Sequence, residues 1–342
     1  MKQLFEQAQP STQSDREADD PLIKTCPYVC EHGQPCGGLI EEGEYCKWHD
    51  SVQVLTDPAI KLHFQAHAKD MQNMYGYQLA NADLHEIDLV NHGHRHGYAL
   101  IHSDLYRANL RGAHLRNLDL SHSSLMKANL KGANMHGAKL HDTNLLGTIF
   151  DKANLDGVDW GEQVLQENLA HQSSDPTEKK HLFHEAEEVY RNLRIVHDNQ
   201  GYGLLAGHFF RREMIMQRYQ LPLFSLERLA SKLLDVFSGY GEQPFKVVLL
   251  SVNAILIYAV LYALLGVRFE GTIISMSLNE GFMFNLNRFL ECLYFSVVTF
   301  TTLGYGDVTP VGITRMVAAS EAFMGAFILA IFVVMVVKKI TR

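Results

Sequence analysis

Basic side chains are scarce in this chain. Its 342 residues hold 30 lysines and arginines against 38 aspartates and glutamates, a formal charge of −8. A nucleic-acid binder usually carries a basic patch, so no nucleic-acid partner is expected. Residues 1–20 are polar and acidic, with no apolar leader, and a disordered N-terminus is expected there. No Ser/His/Asp set, phosphate loop or nucleotide fingerprint is recognisable, so an enzyme is not expected. Hydrophobicity is concentrated near the end. Residues 247–267 contain no charged side chain, and residues 316–337 contain only Glu321. Each run is long enough to cross ~30 Å of hydrocarbon as a helix, which takes roughly 20 residues.

Between these runs stands Thr301-Thr302-Leu303-Gly304-Tyr305-Gly306-Asp307. Backbone carbonyls held in such a strand can replace the water shell of a potassium ion. Gly304 and Gly306 supply the backbone angles that residues with a Cβ resist. The segment, with Tyr294 to Phe300 before it, resembles the signature of potassium channels of the two-span bacterial type. The resemblance implies K+ as the transported ion, with Thr302, Leu303, Gly304, Tyr305 and Gly306 as filter ligands. It implies that Tyr294 and Phe295 pack around the filter and that Asp307 bonds to that aromatic layer. Val298 falls where some members carry a carboxylate brace, which this chain lacks. Gly325 stands where inner helices hinge, although close helix packing explains a glycine there equally well. Glu321, one turn earlier, is either functional or a bonded group behind the filter. Ala326, Leu329, Ala330, Val333 and Val337 are spaced to line a cavity.

The expected pore domain, 244–342, has spans at about 245–267 and 316–337. An external turret at 268–287, a re-entrant pore helix at about 288–300 and the filter at 302–306 lie between them. Two spans cannot enclose a pore, so a homotetramer is implied. No Arg-rich span precedes the pore, and a voltage sensor is not expected. Arg211, Arg212, Arg218, Arg228, Lys232 and Lys246 precede the first span, and Lys338, Lys339 and Arg342 follow the second. The positive-inside rule then puts both ends in the cytoplasm of a multi-pass protein of the inner (plasma) membrane.

From Leu100 to Trp160 an apolar residue recurs every five positions, with a small or compact residue two places earlier in most repeats. A period of five suits neither a helix nor a flat strand and signals a solenoid. The Ala-Asn-Leu-x-x pattern resembles the pentapeptide-repeat family, which implies a right-handed quadrilateral β-helix over 76–161, with four units per coil. Leu84 and Leu89 lie one residue out of phase, so an insertion falls within 90–98. It holds His92, His94 and His96, a polar bulge or, on one strand face, a metal set. A spacer or assembly surface suits the solenoid, with an unknown cytoplasmic protein or ligand as its partner.

Four of the five cysteines lie within Cys26, Cys30, Cys36 and Cys46, the last followed by Lys47-Trp48-His49. The clustering and the Cys-x-x-His end suit structural Zn2+. The segment is similar to small zinc modules of the form Cys-x-Tyr…Gly-x-x-Cys…Tyr-Cys-x-x-His. That likeness selects Cys26, Cys36, Cys46 and His49 within a module at 21–52, with Cys30 as an alternative ligand. A helical connector at 53–75 would follow. Between solenoid and membrane, 162–243, a flexible stretch from Glu162 to Pro176 should lead into two amphipathic helices around Asn199-Gln200-Gly201, which resemble a tetratricopeptide hairpin. A membrane-surface helix should then cover Leu221 to Phe237. The expectation is a multidomain membrane protein: an α-helical tetrameric potassium channel with a cytoplasmic assembly that gates or assembles it. The competing reading is a membrane-anchored scaffold or sensor whose pore does not conduct.

Overall fold

The computed structural model describes residues 24–30, 33, 35, 36, 38–40, 43–51, 59–71, 73–276 and 281–341. The disordered N-terminus expected at 1–20 lies outside them. The chain divides into two compact units, one holding the N-terminal part to Leu140 with 152–159, the other 141–151 and everything from Trp160.

In the first unit, helix α1 (Ile60–Met71) leads into strand β1 (Asn73–Tyr75), which pairs in parallel with β2 (Ala99–Ile101). The first rung therefore begins at Asn73, inside the stretch expected to be a helical connector. Later rungs are single bridges. Ala99 faces Asp119, Asp104 faces Ser124 and Asn109 faces Asn129, each 20 residues on, the length of four five-residue units. In the first coil the step is 26, as from Gln78 to Asp104, and the six extra residues follow Leu89. The turns between sides explain the sequence at the second place after each apolar residue. Asn81, His102, Arg107, Asn117, His122 and Lys127 all take φ between 55° and 59° there, the left-handed region that asparagine and glycine tolerate best. Inside, Leu100, Leu105, Leu110, Leu115, Leu120, Leu125 and Leu130 are at most 1% exposed. The small residues share that interior, and where they are polar they are bonded. Ser123 donates its hydroxyl to Leu100 O at 2.8 Å and accepts the Ser103 N–H at 3.0 Å.

The second unit runs α2 (Leu165–Gln172), α3 (Pro176–Asn199), α4 (Gly203–Gln220), α5 (Leu226–Ser238), α6 (Pro244–Leu265), β3 (Val267–Phe269), β4 (Thr272–Ile274), α7 (Phe282–Phe300), β5 (Val308–Pro310) and α8 (Thr314–Thr341). The stretch expected to be flexible, 162–176, instead holds the bonded helix α2. Gln166 donates to Asn144 at 2.8 Å and Asn168 to Asp142 at 2.6 Å, while buried Glu167 accepts from Tyr190 and Arg212 at 2.6 and 2.5 Å. α3 and α4 are consecutive helices packed against one another. Asp175 caps α3 by accepting from Thr177 N and Glu178 N, and Pro176 fills its first turn. Glu213 on α4 accepts from Arg191 and Arg194 at 3.0 and 2.7 Å, so the pair is held by buried charge as well as by apolar contact. α5 leaves Leu226, Leu229, Leu233 and Phe237 exposed. Its polar side carries Asp235, whose pKa burial would raise but bonds from Arg211 and Arg218 hold below the usual range.

Helices α6 and α8 are each long and apolar enough to cross a membrane. The region expected as a plain turret contains β3 and β4, which join β5 in a three-stranded sheet of order β4-β3-β5. α7 begins at Phe282, six residues before the expected pore helix. α8 packs through Ala318, Glu321, Gly325, Ile328 and Met335, all buried, and leaves Ala326, Leu329, Ala330, Val333 and Val337 exposed on the single chain.

Candidate functional site

The turn after α7 is built by backbone conformation. Thr301 N–H still reaches Val297 O at 3.0 Å, and Leu303 N–H returns to Val298 O at 3.0 Å. Thr302, Gly304 and Gly306 then take φ of 57°, 58° and 82°, while Leu303 and Tyr305 between them are not left-handed. Alternating hand sorts successive N–H and C=O groups to opposite sides of the chain. Among the described residues, the carbonyls of 302–306 accept no hydrogen bond. Leu303 and Tyr305 side chains are 58% and 67% exposed on the single chain. The arrangement can offer a row of unsatisfied carbonyl oxygens to a cation.

Asp307 closes the turn. Its Oδ2 accepts the Tyr294 hydroxyl at 2.8 Å and its Oδ1 accepts Val308 N–H at 3.0 Å, so α7 and β5 meet on one carboxylate. Tyr294 donates to Asp307, and Phe295 is buried, its ring 4.8 Å from that of Tyr262 on α6. Val298, where a carboxylate brace is absent, is 6% exposed. A carboxylate arrives from α8 instead. Glu321 is fully buried and accepts from Ser296 Oγ at 2.5 Å and Tyr262 Oη at 2.6 Å, joining α6, α7 and α8. Ser296 Oγ also lies 2.9 Å from Ile255 O. Sequence reasoning named Glu321 but missed Tyr262 and Ser296. The usable signal was that a carboxylate in an apolar span needs donors from its neighbours. α8 runs unbroken through Gly325. A Cβ there would sit 2.1 Å from Phe300 O, so close approach to the end of α7 alone demands glycine.

The first unit holds a second cluster. Thr25 bridges Leu39 and Val29 bridges Pro35, both antiparallel. This brings Cys26 and Cys36 to the Cys46–His49 turn, where His49 N–H bonds Cys46 O at 2.9 Å. The ligand atoms of Cys26, Cys36, Cys46 and His49 all lie within 4.8 Å of one another. Cys36 Sγ and Cys46 Sγ are 3.7 Å apart, and His49 Nδ1 is 3.2 Å from Cys46 Sγ and 3.7 Å from Cys26 Sγ. Sulfur–sulfur edges of a zinc tetrahedron with ~2.3 Å bonds are roughly 3.8 Å, so the residues present fit the metal. Cys30 is buried but outside this group. Tyr28 stacks on the His49 ring at 3.9 Å, and His49 Nε2 lies 2.8 Å from Tyr75 O, which fixes the tautomer with Nδ1 free to ligate. Burial holds His49 below its ordinary pKa, in the neutral form a metal takes. Burial and the neighbouring Cys46 and Cys26 thiolates push Cys36 up to about 12, so three thiolates at this spacing call for a cation. Trp48 O accepts Gln78 N–H at 2.7 Å, and Tyr75 and Gln78 belong to the first coil. The cluster thus caps that end of the solenoid. Cys46→Ser should lose most bound zinc and Cys30→Ser should retain it, measured by metal analysis of the purified protein. The opposite order would overturn this ligand set.

Residues 253–342 match the family described as ion channel, and residues 103–142 and 132–159 match pentapeptide repeats in eight copies. Two segments of the chain thus match different families, one of ion channels and one of pentapeptide repeats. The chain, with its two apolar helices α6 and α8, fits a membrane protein. Over 48 residues it is 50% identical to Two pore potassium channel a of Oryza sativa subsp. japonica, covering 14% of each chain. Over 76 residues it is 34% identical to Protein LctB of Bacillus caldotenax, covering 22% of this chain and 56% of that one. The chain therefore spans little of the rice protein and about half of the Bacillus protein. A pentapeptide-repeat protein from Nostoc is similar over 31% of this chain and 77% of its own, at 30% identity and a TM-score of 0.17.

Proposed function

We propose that this protein is a homotetrameric, potassium-selective channel that conducts passively across the inner membrane, with both ends of the chain in the cytoplasm. The observation that carries this reading is the alternating backbone of Thr302 to Gly306, whose carbonyls the described protein leaves unbonded. Four copies around an axis give each carbonyl level a ring of ligands that replaces the ion's water shell. α7 then serves as the re-entrant pore helix, entering with its C-terminal end toward the ring, where its dipole favours a cation. Irregular backbone at that depth requires protein and ion around it, not lipid. The rice relative's name, a potassium channel, supports the choice of ion. The exposed face of α8 through Ala326, Ala330 and Val333 suits an inner cavity, and its bulkier face through Phe323, Phe327 and Val334 suits lipid. α5, with exposed leucines on one side and arginine-bonded Asp235 on the other, lies along the inner surface as a lever. The solenoid serves as a stiff spacer or docking surface for a cytoplasmic partner, and zinc is structural, one ion per subunit.

Gating signals then pass through α2 to α5, which are bonded to one another, and not through a loose linker. Purified protein in liposomes should release potassium, and barium should block that release at the Thr302 ring. Insertion with no cation flux would leave the scaffold reading in place.

A further inference from the structure

Within the second unit a cavity of about 440 Å³ opens between the start of α4, the turn before α6 and the end of α8. That is the size of a small-ligand pocket, roughly 300–1,000 Å³. Arg211, Lys338 and Lys339 line it, with the ring of His208 and the carboxylate of Glu242. Burial, then Arg212 and Arg211, hold His208 below its ordinary pKa, so it contributes a neutral imidazole.

The charges do not cancel. Lys338 Nζ is 2.6 Å from Glu242, which accounts for one cation. Arg211 gives its Nε to Asp235 at 2.9 Å, but the same carboxylate also takes Arg218 at 3.1 Å and Lys246 at 3.7 Å. Five cations thus stand around two carboxylates. Among the described residues, the two terminal nitrogens of Arg211 and the ammonium of Lys339 have no protein partner. The α4 wall carries little bulk before Arg211, since Gly203 and Gly207 put no side chain into the space. Tyr202 gives α4 no side-chain cap, so first-turn N–H groups add to the positive field.

We propose that this cavity binds a phosphate monoester through the Arg211 fork and the Lys338 and Lys339 ammoniums. The guanidinium end matches the geometry of phosphate oxygens, and the two lysines supply point charges. A bound anion would tie α4 to the end of α8. On the channel reading above, this junction lies at headgroup depth, where basic residues meet anionic lipid. The ligand is then either a lipid headgroup or a soluble phosphate ester. The placement at the membrane rests on that reading, and the binding chemistry does not.

The test is calorimetric titration of the full chain in an uncharged detergent with glycerol 3-phosphate, dihexanoyl phosphatidic acid and dihexanoyl phosphatidylcholine. The phosphatidic acid should bind and the choline ester should not. Arg211→Gln and Lys339→Gln should each weaken binding roughly tenfold, the size of one charge-assisted hydrogen bond. Lys339 is exposed, so its variant keeps the fold, and Lys152→Gln in the solenoid serves as an unchanged control. Glycerol 3-phosphate binding as tightly as the lipid identifies a soluble ligand, and binding only of the acylated form identifies a headgroup. Absence of binding by either monoester, or equal affinity in both variants and the parent, overturns the site. No arm measures conduction, so a non-conducting protein that binds leaves the site standing, and a conducting protein that does not bind removes the site alone.

Discussion

Gly304→Ala should abolish potassium flux while leaving the mass of the assembled protein and its thermal unfolding unchanged. Gly304 sits at φ 58°, and a Cβ placed there meets nothing within 4 Å. The substitution therefore creates no clash that would unfold the chain. Its cost is conformational, about 1–2 kcal/mol for an L-residue held left-handed, and in a tetramer it is incurred four times around one ring. The backbone escapes by turning its carbonyl away, which removes a ligand level. Flux in liposomes reads the loss, and size-exclusion mass and thermal unfolding read the control. Flux equal to that of the parent would show that the turn is not the conducting element.

The second large effect falls on Glu321. Glu321→Ala should lower thermal stability and reduce flux, because Tyr262 loses its acceptor in a fully buried setting, whereas Ser296 can still donate to Ile255 O. Each buried group left without a partner costs about 1–3 kcal/mol. Glu321→Gln should be far milder. An amide oxygen can accept from Tyr262, and its NH2 can donate to Ser296 Oγ, whose proton then goes to Ile255 O 2.9 Å away. Thermal unfolding of the two variants side by side checks this ranking. Equal losses would mean that the charge, not the hydrogen-bond set, matters at this position.

Periodic and chemically marked features were legible in the sequence. The five-residue period is set by side chains that must enter a narrow interior, so Leu100 to Leu155 announced both the solenoid and the phase slip before it. The Thr302–Asp307 turn was legible because alternating hand requires glycine at two of its positions. What escaped was short or came from a neighbour. β3, β4 and β5 are three residues each, too brief for a period-2 pattern to emerge. The stretch at 162–176 reads as polar, yet Gln166 and Asn168 spend that polarity on Asn144 and Asp142, partners some twenty or more residues back. The Cys/His cluster was readable from spacing and likeness. Its support by Tyr28 and the Tyr75 carbonyl was not, because both depend on the first coil folding against it.

The central claim is that the Thr302–Gly306 backbone selects potassium. The direct measurement is the reversal potential of current through purified protein in a planar bilayer, with potassium on one side and sodium at equal concentration on the other. The account predicts a reversal displaced far toward the potassium equilibrium potential, and its collapse with the current in Gly304→Ala. A reversal near zero in the parent protein, with both cations carrying current equally, would contradict it.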